Sequence, residues 1–261
     1  MFRSLSIAAT GMSAQETHLE GVANNISNAN TAGFKKQRAD FQDLLYRTVR
    51  AAGAPTGANT VAPEALQLGS GVRVVGTAHI FKQGAVQITQ NPLDVAIEGN
   101  GFFVVQQPDG TPAYTRAGNL KTDGTGRLVT PEGLPLDPPI TIPAESVGVS
   151  IGADGTVSVS MPGEEAPVTV GQIQIAGFVN PSGLSSIGHN LMQATAASGE
   201  AQVGNPGSDG RGTLMGGALE ASNVDVVEEM IGLISAQRNY EVNSKVVTAA
   251  DDMLRTATQM R

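Results

Sequence analysis

The chain's 261 residues include three histidines, four Asp-Gly steps and three adjacent carboxylate pairs, and these are where site chemistry would have to begin. His18, His79 and His189 lie in different segments, with no spacing that lets imidazoles share a metal ion. The absence of cysteine removes thiolate ligands, a Cys nucleophile and disulfides together. Glu164-Glu165, Glu228-Glu229 and Asp251-Asp252 are sequence neighbours, which point apart on a helix and make no acid/base pair. Gly99-Asn100-Gly101 opens a G-x-G but has neither the later glycine nor the helix that hold a pyrophosphate, so it reads as a turn. Asp123-Gly124-Thr125-Gly126 comes nearest to a calcium loop and lacks its closing glutamate. The expectation is therefore no catalytic residue, no metal and no cofactor: a chain that is not an enzyme. A carbohydrate-active β protein, the rival reading, would need two distant acids to converge in a groove.

Charge narrows the partners. With a net charge of −8, most of the surface repels a nucleic-acid backbone or an anionic membrane. Lys35, Lys36 and Arg38 form the densest basic group and read as a solvated turn beside a helix. No stretch reaches the roughly 20 apolar residues of a membrane span, so neither nucleic acid nor direct membrane insertion is expected. After Met1-Phe2-Arg3, the polar residues Ser4, Ser6, Thr10, Gly11 and Ser13 interrupt any signal-peptide core, so no cleaved signal is expected.

The elements that would carry function are at the two ends. Residues 3–28 read as a helix with Leu5, Met12, Leu19 and Ile26 repeating every seven residues. Gly11 and Gly21 each cost it about 1 kcal/mol, so packing must stabilise it. It exits through an Asn-rich segment in which Asn24, Asn25, Asn28, Thr31 and Gly33 are expected to fix a sharp turn. Residues 225–260 read as a second helix, roughly 54 Å long at 1.5 Å per residue. Ser222 would cap it three residues ahead of Asp225, with Glu228 and Glu229 near its start and Arg255 and Arg261 near its end. Val226, Leu233, Tyr240, Val247 and Leu254 form its stripe. The second seam position, taken as Met230, Gln237, Ser244, Asp251 and Thr258, is too polar for a strong two-helix coiled coil, while Ala236, Ala250 and Ala257 on the other flank are small. These stripes are the expected subunit-interface residues, packing with one another within or between subunits.

Between the helices, residues 37–50 read as a short amphipathic segment and Ala51 to Gly71 as an extended, Ala/Gly/Pro/Thr-rich excursion. From Val72 to about Leu219 the pattern has period two. Strand candidates are Val72–Val75, Leu93–Ile97, Phe102–Val105, Val147–Ile151, Thr156–Val159 and Gln172–Ile175. Asp109-Gly110, Asp123-Gly124, Asp154-Gly155 and Asp209-Gly210 supply hairpin signals. The fold class is α+β: long terminal helices in a coiled-coil-like layer with a central, mainly antiparallel β region. The expected organisation is 1–30 plus 223–261 as a helical domain, 31–71 plus 190–222 as a connecting segment, and 72–189 as a β domain.

Two stretches at opposite ends give a resemblance. Ala23-Asn24-Asn25-Ile26-Ser27-Asn28-Ala29-Asn30-Thr31-Ala32-Gly33-Phe34-Lys35 resembles the N-terminal signature of bacterial flagellar axial proteins of the rod and hook. Leu219-Glu220-Ala221-Ser222-Asn223-Val224-Asp225, with Glu229-Met230-Ile231 and Gln237 to Lys245, resembles their C-terminal signature. Asp40 to Tyr46, Leu66 to Val72 and Asp94 to Phe103 are most similar to the distal-rod branch. The proximal-rod branch shares both ends and much of the β region, and the hook branch is usually longer. The resemblance implies a helical homopolymer forming a rigid tube, a drive shaft that transmits torque and passes exported subunits. It also implies a basal-body location in the periplasm-spanning rod and type III export without a cleaved signal. The implied partners are further copies of the chain, proximal-rod and hook-side axial proteins, surrounding periplasmic and outer-membrane ring proteins, and the flagellar export apparatus.

Overall fold

The computed structural model describes residues 2–57, 60–163 and 166–259. Helix α1 spans Phe2–Ser27 and helix α2 spans Val226–Gln259, with strands filling the chain between them. The class is the α+β expected. Contacts divide the chain into two units: 1–26, 37–78 and 226–261 in the first, 27–36 and 79–225 in the second.

In the first unit α1 and α2 run antiparallel, as three contacts show. A Cβ on Gly11 would sit 3.0 Å from Asn243 Nδ2, one on Gly232 would sit 3.8 Å from Val22, and Asn25 Nδ2 donates to Glu229 Oε2 at 3.1 Å. Gly11 therefore lets the helices approach closely, which offsets its weak helix propensity. Asp225 immediately precedes the first residue of α2, and Ser222 Oγ accepts from the Val224 N–H at 3.3 Å in a turn ahead of it. Ser222 is thus too early to cap the helix, a correction to the expected start. Arg255 pairs with Asp251 at 3.0 Å, and Arg261 lies outside the described residues.

The short amphipathic segment at 37–50 forms two strands, Gln37–Asp43 and Arg47–Arg50. Gln37–Asp43 pairs with Val72–His79, and Arg47–Arg50 pairs antiparallel with Leu66–Leu68. Ala39 points inward, and Phe41, on the same side two residues on, meets His18 edge-on at 6.3 Å. That alternation is a strand's period. The excursion after Ala51 holds further short strands, Pro55–Gly57 and Thr60–Val61; Ala58 and Asn59 lie outside the described residues.

The second unit is built on a six-stranded sheet. From edge to edge it runs Ser185–Gly188, Leu191–Gln193, Pro112–Thr115, Phe102–Gln106, Ile175–Gly177 and Gln202–Gly204, antiparallel throughout. Phe103 and Val105 face an aliphatic core with Ile97, Leu120, Leu128 and Ile175, whereas Phe102 and Val104 face Tyr114, Leu184 and Met192. Both faces are covered, which is why Phe102–Val105 is continuously apolar instead of alternating. On the second face Phe102, Phe81, Phe178 and Tyr114 meet edge to face at 4.8–5.7 Å.

Three of the four Asp-Gly steps join strands that pair with each other: Asp109-Gly110, Asp123-Gly124 and Asp154-Gly155. In each, the Asp carboxylate accepts both the backbone N–H and the hydroxyl of the Thr two residues on. Asp209-Gly210 lacks that threonine and links strands with different partners, so it is a turn without a hairpin. The run Gln172–Ile175 divides: Gln172 ends Val168–Gln172 and Ile175 begins Ile175–Gly177, with the chain changing sheets between them.

Candidate assembly surfaces and the signature knot

Each residue turns a helix by about 100°, so exposure along α2 reads out its faces. One side holds the buried Glu229, Ala236 and Ala250 and the half-buried Gly232, Leu233, Asn243, Val247 and Leu254. This seam takes Glu229, Ala236, Asn243 and Ala250 as its second position, on the small-residue flank. Of the positions expected there, Met230, Gln237, Asp251 and Thr258 are exposed. The opposite side carries Val227, Met230, Ile231, Ile234, Val242, Val246 and Met253 at 42–67% exposure. A helix apolar on two opposite sides can bury only one of them against a single partner helix.

The residues expected at subunit interfaces lie beside the seam. Leu5, Met12, Leu19 and Ile26 are half-buried on α1, as are Leu233, Val247 and Leu254 on α2, while Val226 and Tyr240 are 41% and 44% exposed. The stripes flank the small residues Gly11, Ala236 and Ala250; the two alanines are buried, and a Cβ on Gly11 would meet Asn243. The wider outward face of α2 escaped the heptad reading, although Val227, Ile231, Ile234 and Val242 recur at helical spacing.

The turn residues divide between the units. In the first, buried Asn25 pairs with the backbone of Gln37 in both directions at 2.9 Å and also donates to Glu229. Asn24 beside it is exposed. In the second, Thr31 donates its N–H to Asn28 O at 3.1 Å and its hydroxyl to Asn28 Oδ1 at 3.2 Å. Gly33 then takes φ +70° and donates to Glu220 O at 2.8 Å. A Cβ there would lie 2.6 Å from the Ala117 nitrogen and the Arg116 carbonyl carbon, so both backbone angle and space require glycine.

Lys35 corrects the reading of a solvated basic turn: its side chain is 1% exposed. Its ammonium donates to Glu220 Oε1 at 2.6 Å and to Lys82 O at 3.0 Å. The fully buried Glu220 carboxylate also accepts the Gly84 N–H at 2.8 Å and Arg116 Nε at 2.5 Å. Arg116 spends its other donors on the carbonyls of Ile97, Gly99 and Gly101, so the Gly99-Asn100-Gly101 turn wraps a guanidinium instead of a phosphate. Asn223 locks the same region: its amide donates to Ile80 O at 2.7 Å and Lys82 O at 2.9 Å, and its oxygen accepts the Lys36 N–H at 2.7 Å. Burial pushes the Lys35 ammonium below its ordinary pKa despite Glu220. Burial would raise the Glu220 carboxyl, but the Arg116 charge and the hydrogen bonds from Arg116, Lys35 and Gly84 hold it below its usual value. The knot unites residues 35, 116 and 220, separations that a single sequence does not disclose.

A cleft of about 320 Å³ lies over the knot, lined by Phe81, Phe102, Phe178, Lys35, Arg116 and Arg211. Its cations are already engaged, Arg211 with Asp209 at 2.6 Å. Among the described residues no cluster could hold a metal ion, and no helix is long and apolar enough to cross a membrane.

Comparison with known proteins agrees on both ends and the middle. Residues 5–35 match the flagella basal body rod protein family, 96–159 the D1 domain of flagellar hook protein FlgE/F/G, and 215–260 the C-terminal region of flagellar basal body rod FlgEFG proteins. The flagellar basal-body rod protein FlgG of Buchnera aphidicola subsp. Schizaphis graminum is 46% identical over 260 residues, covering 100% of both chains. That of Borreliella burgdorferi is 47% identical over 263 residues, covering 100% of this chain and 99% of its own. That of Bacillus subtilis is 40% identical over 266 residues, covering 100% of both. The chain belongs to the flagellar basal-body rod protein family.

Proposed function

We propose that this chain is the subunit of the flagellar distal rod, polymerising into a rigid helical tube that transmits torque as a drive shaft and passes exported subunits along its axis. At the coarser level it is a structural subunit of the flagellar basal-body rod and not an enzyme. The observation that carries the finer reading is the two-sided α2, whose outward apolar face stands exposed in the single chain and suits a wall of neighbouring helices. The assignment to the distal branch rests on the segment from Leu44 to Leu68, where Leu45, Tyr46, Val49, Leu66 and Leu68 stand exposed for contact with neighbours. In the proposed layering, 1–30 plus 223–261 form the tube core, 31–71 plus 190–222 the connection and 72–189 the outer β layer. The proposed partners are further copies, proximal-rod and hook-side axial proteins, the periplasmic and outer-membrane rings, and the export apparatus that delivers the chain without a cleaved signal.

Two experiments test this. Ile234→Asp, on the outward face, is expected to stay soluble where the parent polymerises, with the β unit's thermal transition unchanged; sedimentation that matches the parent would remove the reading. Imaging basal bodies from cells lacking the chain separates the branches. A rod stump at the inner end is expected for a distal subunit, and loss of the whole rod would assign the chain to the proximal branch.

A further inference from the structure

We infer that the outward face of α2 is covered, in the polymer, by the outward face of α1 from a second copy of this chain, with Glu16 and Glu20 of one copy against Arg238 and Lys245 of the other. This deepens the rod-subunit reading and rests on it. On α1, Gly11, Val22 and Asn25 face α2 of the same chain. Steps of 100° put the exposed Ala9, Ser13, Glu16, Glu20 and Ala23 on a side turned away from them. That side is lined by small residues and carries two acids one turn apart, which repel each other unless a cation lies opposite. The outward face of α2 is its complement. Val227, Ile231, Ile234 and Val242 are bulky, and the exposed Arg238 and Lys245 stand one heptad apart in their midst, with Glu241 to one side and the acid Asp252 a further heptad on, toward the far end of the helix. None of Glu16, Glu20, Arg238 and Lys245 has an ion pair among the described residues.

Shape and charge therefore match between two different faces that point away from each other on one chain. They can meet only between chains. Such a contact is head-to-tail, and it propagates into an open filament, whereas an α2-to-α2 contact is self-complementary and closes into a dimer. A helical tube requires the first kind.

The test is a charge swap scored as the concentration at which the full-length chain polymerises. Glu16→Lys with Glu20→Lys is expected to raise that concentration roughly tenfold, as is Arg238→Glu with Lys245→Glu, since each replaces two attractions by repulsions. All four together are expected to restore the parent value within about threefold. The sites are exposed, and the monomers' circular dichroism and thermal unfolding should match the parent's. Because the chain has no cysteine, mixing a Glu16→Cys chain with an Arg238→Cys chain adds a geometric readout, a disulfide between unlike chains. A fourfold variant no better than either double variant, or disulfides forming mainly between two Arg238→Cys chains, would overturn the contact while leaving the rod reading intact. A parent chain that never polymerises would take down both.

Discussion

Glu220 is the residue on which most of the second unit's polar wiring converges, accepting from Lys35, Arg116 and Gly84 at once. Two cations and one carboxylate are enclosed together, so removing the carboxylate leaves two buried positive charges facing each other. Glu220→Gln is expected to destabilise the unit by about 3–5 kcal/mol in denaturant titrations, and Lys35→Met by less, because it leaves a neutral Arg116–Glu220 pair. The sign of the pH effect follows from the lowered carboxyl. Its stabilisation is complete above the unfolded value near 4.5 and is lost as pH falls through the folded value below it. The parent's Tm should therefore hold from neutral pH to about 5 and drop in stronger acid, with Glu220→Gln losing the part of that drop due to this group. Gly33→Ala, forced to φ +70° against the Arg116–Ala117 backbone, is expected to cost at least about 2 kcal/mol by the same titration. In the hairpin turns, hydrogen bonds from the Thr two residues on hold Asp109, Asp123 and Asp154 below the ordinary aspartate value of 3.8. Carbon-detected NMR titration should find all three more than half ionised at pH 3.8.

Elements were legible where one local rule sufficed. The helix expected at 3–28 is α1 at Phe2–Ser27, and that expected at 225–260 is α2 at Val226–Gln259, because long apolar periodicity free of proline leaves few alternatives. Of the four Asp-Gly steps read as hairpin signals, three join paired strands, and Asp209-Gly210 does not. What escaped was non-local. Residues 37–50 show a helix-like scatter of Phe41, Leu44, Leu45 and Val49, yet pairing with Val72–His79 and Leu66–Leu68 makes two strands of them. The second seam position of α2 lies not on the polar flank of Met230, Gln237 and Asp251 that heptad spacing indicates but on the small-residue flank, where Ala236 and Ala250 are buried and Gly232 is half-buried. Lys35 looked solvated because its partners, Lys82 O and Glu220, lie 47 and 185 residues away, while Gly33 is a turn residue by type alone; Asn25 sits in the last turns of α1. The element-scale prediction concerns Gly11: Gly11→Leu should push α1 from α2 near Asn243, lowering α-helical circular dichroism without shifting the β unit's Tm.

At the scale of the molecule, the two units differ in how they are held. The second has two continuous apolar cores and the buried ionic knot, whereas the helical seam of the first is lined with Gly, Ala, Asn and Glu. Peptide-resolved hydrogen exchange on the monomer should show fast exchange in α1 and α2 and strong protection of the Gly33, Lys36 and Gly84 amides. Protection of both helices equal to that of the β unit would mean a closed hairpin exists before assembly. The long reach of the knot also sets a clock. Lys35 waits 185 residues for Glu220, and Arg116 waits 104. In the proposed export, a chain entering a narrow conduit from its first residue would bring Glu220 out late, so the second unit would stay open, and threadable, for most of that transit. On that proposal, fastening would be deferred to delivery by the order of the letters themselves.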